Sequence, residues 1–395
     1  MKVLVFGGTT EGRLLARELS ALGAQVTVSV ATALGAEELR GVPPLTVCVG
    51  RKDARQMREM LPGFAVCVDA THPYAAEASG NIRAACLAAG VPYRRLLRGA
   101  SALPPDSVVV PDAPAAARWL AGTQGNILLA TGAKPFVPPI PGLESVHYHT
   151  FMTLADAHEL ETCLTKNTRV LIVGAGLIGM KCLEGIRDRV ASVTVCDLAK
   201  QVLPSILDAE AAQMVQKHCE AQDVTFLLGD SAARFEPGKA IMQSGKEVEF
   251  DELVMAVGVR PATELAQSLG LDAARGIHTN AQGETDIPDI FAAGDCAKSF
   301  DVTTDTERVL ALLPNATQQG EICGLAMAGK SGKSFNAIPM NAMGMFGLHM
   351  ITAGTMTGDD HIIRENGSYK RLCTKDDRLM GYILVGNVAR AGIYT

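Results

Sequence analysis

Residues 170–197 read VLIVGAGLIGMKCLEGIRDRVASVTVCD, and this stretch narrows the fold more than any other in the chain. Four apolar residues, Val170 to Val173, stop at Gly174, and glycines return at Gly176 and Gly179. That order predicts a buried strand, a tight turn and a helix. The first glycine permits the turn, the second admits a diphosphate close to the backbone, and the third lets helix pack on strand, leaving free N–H groups aimed at the phosphates. A second apolar strand, residues 192–196, runs into Asp197, eighteen residues beyond Gly179. A carboxylate there accepts hydrogen bonds from both ribose hydroxyls of NAD and repels the 2′-phosphate of NADP, so NADH is the expected coenzyme.

A related turn opens the chain. Residues 2–6 form an apolar strand, followed by Gly7, Gly8, Thr9, Thr10, Glu11 and Gly12, then a helix with Leu14, Leu15, Leu19 and Leu22 on one side. Thr9 stands where the middle glycine would be, and the next strand, 25–30, runs into Ala31-Thr32 with no acid. Ser29 and Thr32 suit a 2′-phosphate, so NADPH is favoured over NADH or FAD at this turn. Further on, Val66-Cys67-Val68 leads into Asp69, Thr71, His72 and Tyr74, at a strand end where parallel sheets place ligands. Taken alone, Asp69 and Thr71 equally suit a helix cap.

Beyond these turns the pattern is α/β throughout. Helices are expected at 113–120, 209–221 and from Pro314, strands at 106–112, 224–228 and 253–257, and hairpin turns at Ser244-Gly245-Lys246 and Asp376-Asp377. The prolines at 135, 138, 139 and 141 make a stiff connection suited to joining nucleotide domains. A net charge of −6 and a pI near 5.8, with no basic block, argue against a nucleic-acid or anionic-membrane partner. The ten cysteines form no CxxC, which excludes zinc knuckles and thioredoxin-type pairs and fits a reducing cytoplasm. No leader segment and no long apolar run is read, so a soluble cytoplasmic chain is expected. His147 and His149 share one face of a strand, but no third ligand is evident near them, and no metal site is expected.

Two resemblances follow. VFGGTTEGRLLARELSALGAQVTVSVAT, VGRKD, DATHPYAAEASGNIRAAC and VPYRRLLR are similar to the N-terminal half of precorrin-6A reductase, over about the first 130 residues. That likeness implies NADPH at Gly7 to Gly12 and a tetrapyrrole substrate near Asp69, Thr71, His72 and Tyr74. From about residue 129, ATGAKPFVPPIPGLE, VLIVGAGLIGMK, AVGVRP, TDIPDIFAAGDCA, LPNATQQG and AGIYT resemble the FAD- and NAD(P)H-dependent pyridine nucleotide-disulfide oxidoreductases. This second likeness implies flavin contacts at Thr131, Gly132, Gly294 and Asp295, a return from the NAD domain at Gly258, and a C-terminal domain that pairs subunits in a homodimer. It also implies a glutamate near the nicotinamide, where this chain carries Lys181.

The expected fold is therefore α/β, with two or more Rossmann-like dinucleotide-binding domains on parallel sheets and a small α+β C-terminal domain. The expected boundaries are 1–132 for the reductase-like domain, 133–160 for the proline-rich linker and partial FAD segment, 161–260 for the NAD(P)H domain, 261–334 for the rest of the FAD domain and 335–395 for a truncated interface domain. Each family is expected to be incomplete, with the N-terminal FAD segment missing, and the join at LLATGAKP is read as a genuine fusion or a chimera. A third arrangement makes Gly7 to Gly12 that FAD turn, but the missing acid after the second strand predicts reduced or absent FAD affinity. The first expected function is hydride transfer from NADH to FAD and on to a small-molecule substrate or other electron acceptor. NADPH-dependent precorrin reduction and an inactive nucleotide-binding chimera are the alternatives, and no residue is assigned a catalytic role.

Overall fold

The structure, a computed structural model, describes residues 1–7, 10–30, 39, 45–50, 52–71, 76–96, 107–108, 110–330 and 336–394, with the backbone alone at 10, 11, 76 and 77. The chain divides into two compact units, Met1–Val109 and Val110–Thr395.

The first unit is a doubly wound sheet. It contains β1 (Lys2–Phe6), α1 (Thr10–Ala21), β2 (Gln25–Val30), β3 (Leu45–Val49), α2 (Ala54–Met60), β4 (Val66–Asp69), α3 (Ala76–Ala89) and β5 (Tyr93–Arg95). All five strands are parallel in the order β3-β2-β1-β4-β5, so the chain reverses its winding direction beside β1, where such sheets bind ligands. Alternate residues of β1 feed two cores: Val3 and Val5 face one, Leu4 and Phe6 the other. The face of α1 differs from the leucine stripe expected of it. Ala16 and Ser20 are buried, whereas Leu14 is 53% and Leu22 82% exposed. Small residues let the helix lie close to the sheet, and Leu22 falls beyond the helix end.

The second unit begins with α4 (Ala113–Leu120), capped by the Asp112 carboxylate, which accepts from the Ala115 N–H at 2.7 Å. The strand expected before it is absent at the described positions 107, 108 and 110, where Pro111 removes a ladder donor. Then follow β6 (Ile127–Leu129), β7 (Ala133–Pro135), α5 (Leu154–Cys163), β8 (Arg169–Val173), α6 (Leu177–Ile186), β9 (Ser192–Asp197), α7 (Ala209–Glu220) and β10 (Val224–Leu228). A three-stranded antiparallel insertion, β11 (Ala232–Glu236), β12 (Lys239–Met242) and β13 (Glu247–Glu249), precedes β14 (Glu252–Met255). The nucleotide-type sheet is parallel, in the order β10-β9-β8-β14. Its central strand β8 is buried on both faces, with Val170 and Ile172 in one core and Leu171 and Val173 in another.

The chain leaves this sheet through β15 (Val259–Pro261), which pairs antiparallel with β7, and α8 (Glu264–Ser268). Next, β16 (Ile290–Ala292) pairs in parallel with β6, and β17 (Lys298–Asp301) forms a hairpin with β18 (Thr306–Val309). Pro314 lies in the first turn of α9 (Leu313–Met327). The last domain is an antiparallel sheet of β19 (Met340–Met345), β20 (Leu348–Gly354), β21 (Asp359–Glu365), β22 (Ser368–Lys375) and β23 (Arg378–Val385), in the order β19-β20-β23-β22-β21. Asp376 and Asp377 turn its last hairpin with positive φ, as their sequence position suggests. Met345, Tyr369, Ile383 and Val385 of this sheet share a core with α6 and α7. The fold is thus mixed α/β with parallel Rossmann-like sheets and a C-terminal antiparallel domain. Among the described residues no helix is long and apolar enough to cross a membrane.

Candidate functional site

The three glycines after β8 are present for three different steric reasons. Gly174 has φ +116°, and a Cβ there would run into the Ala256 carbonyl at the end of β14. At Gly179 a Cβ would strike the Gly174 carbonyl, so the absence of a side chain lets α6 lie directly on the turn. No atom of the described residues lies within 4 Å of the Cβ position at Gly176. This residue caps α6 without any side-chain hydrogen bond, leaving the first-turn amides facing open space. Helix-start N–H groups of this kind favour an anion such as a diphosphate.

The Asp197 carboxylate closes the same site. One oxygen accepts from the Ala175 N–H at 2.7 Å and the other from the Ala199 N–H at 2.8 Å, so the side chain is fixed between the glycine turn and the loop after β9. Gly258, at φ +113°, likewise has nothing within 4 Å of a Cβ. Leu177, the first residue of α6, lines a cavity of about 730 Å³ whose opposite walls come from Thr306 and Arg308 of β18 and from Asn341, Thr352 and Arg371 of the C-terminal sheet. The start of α6 thus borders a half-open cleft that the sequence pattern alone does not place.

A second cluster forms where β16 meets α9. Gly294 has φ +83° and packs against Ala316, and its N–H donates to Gln319 Oε1 at 2.8 Å. Gln319 in turn donates to Ser299 Oγ at 2.6 Å. Beside this turn, the half-buried Asp295 carboxylate has no partner among the described residues, and burial alone pushes its pKa up. Asn315 Nδ2, in the first turn of α9, is buried with no hydrogen-bond partner among the described residues. Two unpaired polar groups flanking one turn mark a place for a ligand carrying donors and acceptors, and a flavin with its hydroxylated chain has both. Thr131 and Gly132 behave differently. The Thr131 hydroxyl donates to the Ala262 carbonyl at 2.5 Å, and Gly132 accepts from the Ala262 N–H at 2.9 Å, so both residues tie β7 to β15.

In the first unit, Gly7 donates its N–H to Ser29 O at 2.8 Å, and a Cβ there would press on Val28. Gly12 is buried on α1. Gly8 and Thr9 lie outside the described residues, as do the side chains of Thr10 and Glu11 and all of His72 and Tyr74. Asp69 is fully buried and internally satisfied. It pairs with Arg95 and accepts from the Thr71 hydroxyl at 2.8 Å and from Tyr93 Oη at 2.8 Å. Burial raises its pKa, but hydrogen bonds from Thr71, Ser79 and Tyr93 outweigh that effect and hold the carboxyl below its ordinary value.

Three features escape a linear reading. Gln319 is one; its spacing of four from Asn315 puts both on the buried face of α9, which is a usable signal. The partner of Lys181 is another: it forms an ion pair with Glu184 and stays half-exposed. The third corrects the expectation that His147 and His149 lack a further ligand. Glu252, on β14, brings its carboxylate to them, so that one ligand atom from each residue lies within 4.8 Å of the others. All ten cysteines are free, and only Cys48 and Cys163 are even partly exposed.

Comparison with known proteins places these sites in context. A model of the family described as pyridine nucleotide-disulphide oxidoreductase matches residues 1–320. That span extends N-terminal to residue 129, where the resemblance to this family is expected to begin. The NADH-dependent phenylglyoxylate dehydrogenase subunit epsilon of Aromatoleum evansii is 32% identical over 281 residues, covering 68% of this chain and 66% of that protein. The NADH oxidase of Methanocaldococcus jannaschii is 34% identical over 215 residues, covering 53% of this chain and 48% of that protein. The chain therefore spans between about half and two thirds of these relatives' lengths. In fold it is similar to the water-forming NADH oxidase of Lactobacillus brevis bound to NADH, with a TM-score of 0.65 at 19% identity over 100% of this chain and 89% of that one.

Proposed function

The chain belongs to the pyridine nucleotide-disulphide oxidoreductase family, and from that premise we propose that it passes hydride from NADH to FAD and on to a small-molecule or protein acceptor. The family supports both a nicotinamide dinucleotide and FAD. The observation that carries the reading is the open Gly176 turn with the Asp197 carboxylate fixed against it. The amides at the start of α6 hold the diphosphate, and Asp197 accepts from the adjoining ribose and disfavours a 2′-phosphate. Two relatives named for NADH support the same coenzyme.

When bound, FAD supplies the two-electron redox chemistry. The residues that would hold its flavin end are Asp295, which accepts from hydroxyls, and Asn315, whose unpaired amide donates. The start of α9 presents N–H groups that favour negative charge nearby. With every cysteine free and eight of them buried, the chain offers no redox disulfide to relay electrons, which supports a freely arriving acceptor. Pairing of two copies through residues 335–395 and a cytoplasmic location belong to the same proposal.

The test is anaerobic mixing of the flavin-loaded full chain with each reduced nicotinamide. Bleaching of the flavin by NADH at least tenfold more efficiently than by NADPH is the expected result. A chain that takes up no flavin, or that prefers NADPH, overturns the proposal; the second outcome would favour the precorrin-reducing reading of residues 1–130.

A further inference from the structure

We propose that His147, His149 and Glu252 form a binding site for a divalent first-row cation of the zinc type. The segment carrying the two histidines runs as an extra rung along β14: the His149 N–H donates to Leu253 O and the Met255 N–H donates to His149 O, each at 2.8 Å. His149 is thereby registered in parallel with Val254. Two residues back along both chains, the same register sets His147 opposite Glu252, and the alternation of extended chains turns all three side chains to one face.

Their geometry is close to that of a coordinated set. His149 Nε2 and Glu252 Oε2 are 3.0 Å apart, and the two imidazole rings lie 4.7 Å apart at 80°. Ligands of a tetrahedral zinc, with bonds near 2.1 Å, are separated by about 3.4 Å. His149 is buried, so its position is set by the fold, whereas the His147 side chain is 66% exposed and free to close the remaining gap. Glu159 of α5, 3.8 Å from His147 Nε2, stands ready as a further oxygen ligand. Two imidazoles and a carboxylate select zinc and its neighbours over magnesium or calcium, which prefer all-oxygen sets.

The place of the site defines what the cation does. Glu252 pairs with Val170 at the start of β14, whereas Met255 pairs with Val173 at the end that meets the glycine turn. Three residues of strand, about 10 Å, separate the cation from the nucleotide end. It therefore acts as a clasp joining the incoming segment to the sheet edge, with no part in hydride transfer, and this inference does not depend on the proposed function.

The experiment uses the full chain stripped with a chelator and titrated with Zn2+, with Co2+ as the spectroscopic probe. One equivalent should bind with micromolar or tighter affinity, raise the melting temperature, and give the visible absorption of four-coordinate cobalt. His147→Ala, at an exposed position that leaves the core intact, and Glu252→Gln should each weaken Zn2+ binding at least tenfold and abolish the thermal shift. Absence of binding at 100 µM Zn2+, or equal affinity in wild type and both variants, overturns the proposal.

Discussion

Gly176 and Gly179 are three residues apart and glycine for opposite reasons: one borders empty space and the other is crushed against a carbonyl. Substitution separates these roles. Gly179→Ala must push α6 off the turn and should cost about 1–3 kcal/mol of stability, as overpacking does, and weaken NADH binding with it. Gly176→Ala meets no atom and keeps an extended φ of −80°, so its melting curve should match wild type. Its methyl group would nevertheless occupy the diphosphate opening and lower NADH affinity by about tenfold. Thermal denaturation alongside a fluorescence titration with NADH distinguishes the two, and a Gly176→Ala chain that binds NADH normally would remove the diphosphate from this turn.

At the scale of elements, the first unit shows how a polar knot joins neighbouring strands. Asp69 at the end of β4 gathers Tyr93 and Arg95 from β5 and Thr71 from its own loop. Because the folded carboxyl sits below its ordinary value, its contribution is fully present at neutral pH and is lost as pH falls through and below the carboxylate range near about 3.9. Asp69→Asn leaves Arg95 with an uncharged partner and should destabilise this unit by about 3 kcal/mol at pH 7, with a smaller difference from wild type at about pH 3. Denaturant melts at both pH values check this, and an equal loss at each would mean that the charge is irrelevant. The elements themselves were legible wherever local chemistry is decisive: a helix spans 113–120, Pro314 lies in the first turn of α9, and Gly174 ends β8. The buried face of α1 was misread because leucine is the stronger local signal, whereas close packing on the sheet chose Ala16.

For the whole molecule, the division into Met1–Val109 and Val110–Thr395 puts every contact of the Gly174–Asp197 site in the second unit. That unit has its own buried cores, several of them large. Expressed alone, residues 110–395 should unfold cooperatively and bind NADH within a factor of about three of the full chain, since sites without shared partners behave independently. Calorimetry and the same titration measure this, and a fragment that neither folds nor binds would show that the site depends on residues 1–109. The family match over residues 1–320 takes in part of both units, whereas the motifs that carry the sequence resemblance begin near residue 129.

Local order alone was enough to reveal the dinucleotide turn, its acid at Asp197 and the α/β class, because strand, glycine and helix signals act over a few neighbouring residues and need no distant partner. Other facts emerged only when remote segments met. Glu252 reaches His149 across 103 residues, Gln319 holds Gly294 across 25, and the cavity at Leu177 is walled by a hairpin and sheet more than a hundred residues further on. Side-chain sites assembled across strand edges depend on register and packing, and neither is encoded in the spacing of residues along the chain.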